Sequence, residues 1–105
     1  MHPLDQTFGA LSDPTRRAIL AQLTTGECAL SKLAEPFDLS QTAISKHVRV
    51  LEQASLVHIE KRGRTRYCRL QSAPIQAASR YLGSYEQFWM GQLDALGQYL
   101  QPETP

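Results

Sequence analysis

No run of apolar residues in this chain approaches the roughly 20 needed to cross a bilayer as a helix, and none has the pattern of a secretion signal. Neither a membrane-bound nor a secreted protein is expected. Cysteine is scarce: Cys28 and Cys68 are the only two, too few for a disulfide framework, so a reduced cytoplasmic setting is the default. Histidine stops at His58. No glycine-rich phosphate loop follows a strand pattern, and no pair of carboxylates sits in an evident pocket. Ser45 and His47 lie two apart in a helical segment and do not face one another. Catalysis is therefore not expected. Net charge is almost absent as well, at +1 over 105 residues, so bulk charge says nothing about a polyanionic partner. That length suits one domain spanning 1–105 with a small core, to which shared burial in a dimer would add.

What is present is charge in one place. Between residues 40 and 70, Lys46, Arg49, Lys61, Arg62, Arg64, Arg66 and Arg69 stand against only Glu52 and Glu60, leaving this segment at +5. The positive charge is placed rather than spread, as a partner with a phosphate backbone requires.

Helical spacing puts Leu4, Phe8 and Leu11 on one face of a first helix. Asp13 is a cap and Pro14 a first-turn residue for a second helix, whose apolar face is Ala18, Ile19, Leu20 and Leu23 and whose end is marked by Gly26. A short third helix carries Leu30, Leu33 and Ala34 and must stop near Pro36-Phe37. Ser40 caps a fourth helix, 40–54, with Ala43, Ile44, Val48 and Leu51 inward and Gln41, Thr42, Ser45, Lys46 and Arg49 on the other side. Two short strands joined at Gly63 follow within 57–70. Pro74 then opens a helix running to residue 100, about seven turns long. Its apolar positions Ile75, Ala78, Leu82, Tyr85, Trp89, Leu93, Leu96 and Leu100 step by three or four. A stripe of that length outruns so small a core. A second copy of the same helix would cover it, leaving 101–105 as a flexible tail. The fold class expected is mainly α with a small β-hairpin: a winged helix-turn-helix whose N- and C-terminal helices form a dimer interface from Leu4, Phe8, Ile75, Leu82, Tyr85, Trp89, Leu93 and Leu96.

Two short helices joined by Phe37-Asp38-Leu39 make a helix-turn-helix, whose second helix enters a major groove N-terminus first. Gln41 suits adenine and Lys46 guanine or phosphate, while Ser45 and Thr42 donate or accept. Arg62, Arg64 and Arg66 flank the hairpin tip, where phosphate or the minor groove is in reach. Double-stranded DNA is the partner this arrangement fits. A solvated basic edge on a helix that merely packs is the bland alternative.

Residues 8–100 resemble the ArsR-type winged helix-turn-helix repressors. The resemblance rests on Phe8-Gly9-Ala10-Leu11-Ser12-Asp13-Pro14-Thr15-Arg16-Arg17-Ala18-Ile19-Leu20, on Leu33-Ala34, on Ala43-Ile44-Ser45-Lys46-His47-Val48-Arg49-Val50-Leu51, on Leu56-Val57, and on Gly63-Arg64 with Tyr67. Tyr85-Glu86-Gln87-Phe88-Trp89 matches a branch that lacks the usual metal ligands. The resemblance implies a homodimeric repressor, often autoregulatory, on a palindromic operator. It maps recognition onto Gln41, Thr42, Ser45, Lys46 and His47, with Ser40 and Arg49 on the same helix, and the wing onto Arg62 to Arg66. Ser55 departs from the family's glycine, at a position that favours a left-handed backbone, so a slightly altered helix end is expected.

The family's metal-site patterns are missing. Cys28 has Leu30 two residues on, so there is no Cys-x-Cys pair, and the last helix has no histidine, only Glu86 and Asp94. No metal or other cofactor is expected. A repressor responsive to thiol oxidation or metal through Cys28 or Cys68 remains an alternative, but a dithiol switch needs the sulfurs close together, and the two fall on different elements. His47 reads as a DNA contact or a packing residue before a pH switch. Tyr81, Tyr85, Phe88 and Trp89 read as dimer core before a pocket for a small-molecule effector, whose identity stays open. A protein-interaction module built on the winged-helix fold is the second alternative; it would not need the basic hairpin.

Overall fold

The computed structural model describes residues 2–100, with the side chains of Gln87, Trp89 and residues 96–100 outside that description. The expected dimer contacts Trp89 and Leu96 and the expected tail 101–105 therefore lie outside the described residues. The order is α1 (Pro3–Leu11), α2 (Pro14–Leu23), β1 (Cys28–Ala29), α3 (Leu30–Ala34), α4 (Gln41–Gln53), β2 (Val57–Arg62), β3 (Thr65–Leu70), α5 (Ala73–Gly83) and α6 (Glu86–Leu100). The strands make one antiparallel sheet in the order β1-β3-β2. Fold and fold class are those of a winged helix-turn-helix, with one strand more than the hairpin alone.

The core is a single cluster. Ile19, Leu20 and Leu23 of α2, Leu33 of α3, and Ile44, Val48 and Leu51 of α4 meet Leu56, Val57 and Cys68 from the wing side. Every burial on α4 falls at the spacing its sequence promised, so its opposite face is free for polar work. Ser40 starts this helix by accepting the Ala43 N–H at 3.1 Å. Its end is a Schellman motif: the Leu56 N–H donates to the Leu51 carbonyl and the Ser55 N–H to the Glu52 carbonyl, both at 2.9 Å. Leu51 and Leu56 complete it by meeting in the core. Ser55 takes the left-handed conformation at φ 59°, where its Cβ crowds the following carbonyl. Ser55→Gly is therefore expected to raise stability by about 0.5–1 kcal/mol, read as a higher midpoint in urea with an unchanged slope.

α1 buries residues that the apolar spacing did not mark. Thr7 and Ala10 are its buried residues, and the Thr7 hydroxyl is satisfied by the Pro3 carbonyl at 3.1 Å. Phe8 instead turns sideways and meets Tyr81 of α5 edge-on, at a ring separation of 6.2 Å. Leu11 is partly buried against the core and Leu4 partly buried, while Phe8 is left exposed.

The expected single helix from Pro74 to residue 100 is two helices. Around Ser84 and Tyr85 the backbone bonding shortens: the Tyr85 N–H donates to the Leu82 carbonyl at 3.1 Å, and the Ser84 N–H is shared between Arg80 and Tyr81. The Ser84 hydroxyl also donates to the Tyr81 carbonyl at 2.6 Å, competing with the helical ladder just after Gly83, a residue with weak helix propensity. Among the described residues no helix is long and apolar enough to cross a membrane.

Candidate nucleic-acid interface

The wing is built by a two-residue turn. Arg62 pairs with Thr65 across the hairpin, leaving Gly63-Arg64 at its tip. Gly63 has φ 63° while Arg64 does not have a positive φ, the pattern of a type II′ turn with glycine first. The turn chemistry thus puts Arg64 at the apex.

Gln41 and Ser45 of α4 and Arg64, Thr65 and Arg66 of the wing line one open concavity of about 300 Å³, with Leu30 and Ser31 of α3 on its remaining side. Ser40, Gln41, Thr42, Ser45, Lys46 and Arg49 are all exposed, as are Arg64 and Arg66. The structure therefore brings the polar face of α4 and the wing tip to one surface. Ser31 and Thr65 are further polar members that the sequence reading did not single out. Only their register, set by the short α3 and by the hairpin turn, reveals them.

Two of the expected contact residues are held by other groups. Arg62 donates through Nη2 to Glu27 at 2.5 Å and to Glu60 at 3.2 Å, and its guanidinium lies 4.6 Å from the centre of the Tyr67 ring. The hydrogen bonds to Glu27 first and Glu60 second raise its pKa further above its already basic value. Arg62 therefore ties the wing to the segment leading into β1. His47 is only partly exposed and its ring faces α2, with Nδ1 at 3.4 Å from Arg16 Nη1 and 3.9 Å from Asp13 Oδ2. Unprotonated, Nδ1 accepts from the arginine; protonated, it faces the carboxylate.

Asp13 and Arg16 explain this local order. The Arg16 N–H donates to Asp13 Oδ2 at 3.0 Å and caps α2. That bond is the main cause of a lowered Asp13 pKa, with His47 and Arg16 adding charge attraction. The stabilisation linked to this carboxylate is complete above its unfolded pKa and is lost as pH falls through the lowered folded value. Arg16 also donates through Nε to the Ala10 carbonyl at 2.7 Å and through Nη2 to the Gly9 carbonyl at 3.2 Å, while Arg17 donates to the Leu11 carbonyl at 2.7 Å. Both arginines satisfy the open carbonyls at the end of α1. Through Arg16, α1 and α2 are linked to the His47 side of α4.

Among the described residues, the expected dimer residues lie apart from this concavity. Phe8, Leu11, Ile75, Ala78 and Leu82 line an apolar groove of about 520 Å³ between α1 and α5. Leu82 is 57% exposed and Leu93 58%. Leu4 is partly buried, and Phe8, Ile75 and Tyr85 are exposed. Every α6 residue whose side chain is described is exposed. The groove and the exposed apolar residues of α5 and α6 leave a large apolar surface uncovered in the single chain.

Comparison with known proteins bears on the family. A family model described as a helix-turn-helix domain matches residues 11–60. The transcriptional repressor SdpR of Bacillus subtilis is 33% identical over 75% of this chain and 88% of its own. The HTH-type transcriptional regulator Rv2034 of Mycobacterium tuberculosis is 33% identical over 94% of this chain and 90% of its own. A crystal structure of an ArsR family transcriptional regulator superposes with a TM-score of 0.78 at 36% identity, covering 84% of this chain and 91% of that one.

Proposed function

Since this chain belongs to the ArsR-type winged helix-turn-helix transcriptional regulators, we propose that it is a homodimeric repressor of a palindromic operator, one copy of which lies upstream of its own gene. The observation that carries this reading is the shared concavity: Gln41 and Ser45 at the start of α4 and Arg64 and Arg66 of the wing open onto the same surface. An α-helix fits a major groove, and residues near its N-terminus meet base edges. In this reading Gln41 pairs with adenine, Ser45 and Thr42 reach adjacent edges, and Ser40, Lys46 and Arg49 hold flanking phosphates. Arg64 and Arg66 extend the grip beyond the groove. Arg62 and His47 act as positioning residues, the first by holding the wing and the second by setting α4 against α2. A dimer built on α1, α5 and α6 presents two such surfaces, matching half-sites about one helical turn apart. Bound over a promoter, it excludes polymerase by occupancy alone.

Selection from a pool of random duplexes tests this reading. The expected product is an inverted repeat with half-sites about 10 base pairs apart, centre to centre. A single unrepeated site would contradict the dimeric reading. Gln41→Ala in the same selection is expected to relax preference at one symmetric pair of positions, with discrimination there falling by about 1–3 kcal/mol. The salt dependence of binding should not change.

A further inference from the structure

We propose that Cys28 and Cys68 form an oxidation site, closing to a disulfide across β1 and β3 when the chain meets a peroxide. The expectation that two different elements keep these thiols apart is overturned by the sheet: β1 pairs antiparallel with β3, and Cys28 is the direct partner of Cys68. Directly opposed residues of an antiparallel pair project to the same face. Their Cα atoms lie about 4.5–5.5 Å apart in either kind of pair, inside the roughly 4.4–6.8 Å that a disulfide spans. Both cysteines are free thiols. Glu27, the residue before Cys28, is itself held to the sheet by Arg62 of β2.

The two thiols differ in a way that assigns their roles. Cys28 is partly exposed and Cys68 fully buried. Burial pushes the Cys68 thiol up to about 12, with the neighbouring Cys28 as a further cause. Solvent peroxide reaches Cys28 first. The Cys28 thiolate attacks one peroxide oxygen, the O–O bond breaks, and the departing oxygen leaves as water or an alcohol after taking a proton. Cys28 is then a sulfenic acid, oxidised by two electrons while the peroxide is reduced by two. The Cys68 sulfur attacks the Cys28 sulfur, the S–S bond forms as the S–O bond breaks, and the Cys68 proton departs with the hydroxide as water. Burial shields Cys68 from the peroxide, and its place directly opposite Cys28 puts it in reach of the sulfenic acid as the resolving thiol. The resulting loop, 28–68, encloses α3, α4 and the hairpin tip, so the bond restrains the whole helix-turn-helix in the unfolded chain and raises thermal stability. Any effect on operator binding rests on the function proposed above; the disulfide does not.

The test is oxidation of the folded full chain with hydrogen peroxide, then unfolding, alkylation with iodoacetamide and mass measurement without reductant. The expected product is a monomeric chain two hydrogens lighter with no alkyl groups. A peptide linking positions 28 and 68 should appear in a non-reducing digest, and dithiothreitol should restore two alkylatable thiols. The melting temperature should rise on oxidation. Cys28→Ser should leave Cys68 unoxidised, and Cys68→Ala should leave a sulfenic acid at Cys28 that dimedone traps. Should either variant fail to fold, the mass of the unsubstituted chain decides. Added oxygen on Cys28 with Cys68 still alkylated, or a disulfide only between chains, would overturn the proposal. The readout is the same whether or not the chain binds DNA, so it fails separately from the functional reading.

Discussion

Replacing Arg64 and Arg66 together by alanine is expected to weaken binding to every duplex, operator and non-operator alike. Both side chains are exposed, and both line the concavity that Gln41 and Ser45 share. A dimer presents each of them twice. If all four reach phosphates, counterion release at about 0.9 per contact removes some 3–4 units from the slope of log affinity against log salt. The same arithmetic gives a loss of roughly 10³-fold near 0.1 M salt. Such contacts position the protein without reading bases, so the preference among operators should survive. Arg62→Ala should behave differently. Its guanidinium is held by Glu27, Glu60 and Tyr67, so its loss loosens the wing while leaving most of the slope. Fluorescence anisotropy over a salt series reads both outcomes. An unchanged slope in the double variant would remove the wing from the interface.

Leu82→Asp is expected to abolish the dimer and spare the fold. Leu82 is 57% exposed in the isolated chain, so the protomer's own core does not depend on it. It borders the apolar groove between α1 and α5. Covered by a second copy, the new carboxylate would be a buried charge without a partner, at a cost of roughly 3–5 kcal/mol each. Two-fold symmetry introduces it twice. At 1.4 kcal/mol per factor of ten, the dissociation constant rises by about 10⁴ or more. Light scattering should report a monomer with an unaltered circular dichroism spectrum. Operator affinity should fall too, because the two half-sites lose their link. A variant that stays dimeric would place the interface elsewhere.

The residues that make α4 were legible because two independent patterns agree there. Ser40 caps it, and Ile44, Val48 and Leu51 recur on one side, so the free face follows by subtraction. The start of α2 was legible for a similar reason, since the Asp13 carboxylate and Pro14 both mark a first turn. Ser55 announced its left-handed backbone by standing in a glycine's place.

Other features have no local signature. β1 is only Cys28–Ala29, too short for alternation to register, and it exists because β3 offers it an edge. With β1 unseen, the juxtaposition of the two cysteines was unseen as well. The break between α5 and α6 hides in a stripe whose three- and four-residue steps run straight through it, and only the hydrogen bonds of Ser84 and Tyr85 expose it. On α1 the apolar spacing of Leu4, Phe8 and Leu11 is real and Leu11 does pack against the core, but the full burial of Thr7 and Ala10, small enough for close packing, has no apolar signature. Charge counting likewise cannot separate Arg62 from Arg64. Their neighbours separate them: Glu27 arrives beside Arg62 from 35 residues away, while the turn carries Arg64 to the apex.

The most direct test of the central claim is a titration of the purified chain against duplex DNA from immediately upstream of its own gene, at two salt concentrations, with an unrelated duplex as competitor. Two copies per site, selective over the competitor and markedly weaker at the higher salt, is the result predicted by a paired α4-and-wing surface. No binding even at the lower salt would contradict it and would favour a winged helix that docks on protein.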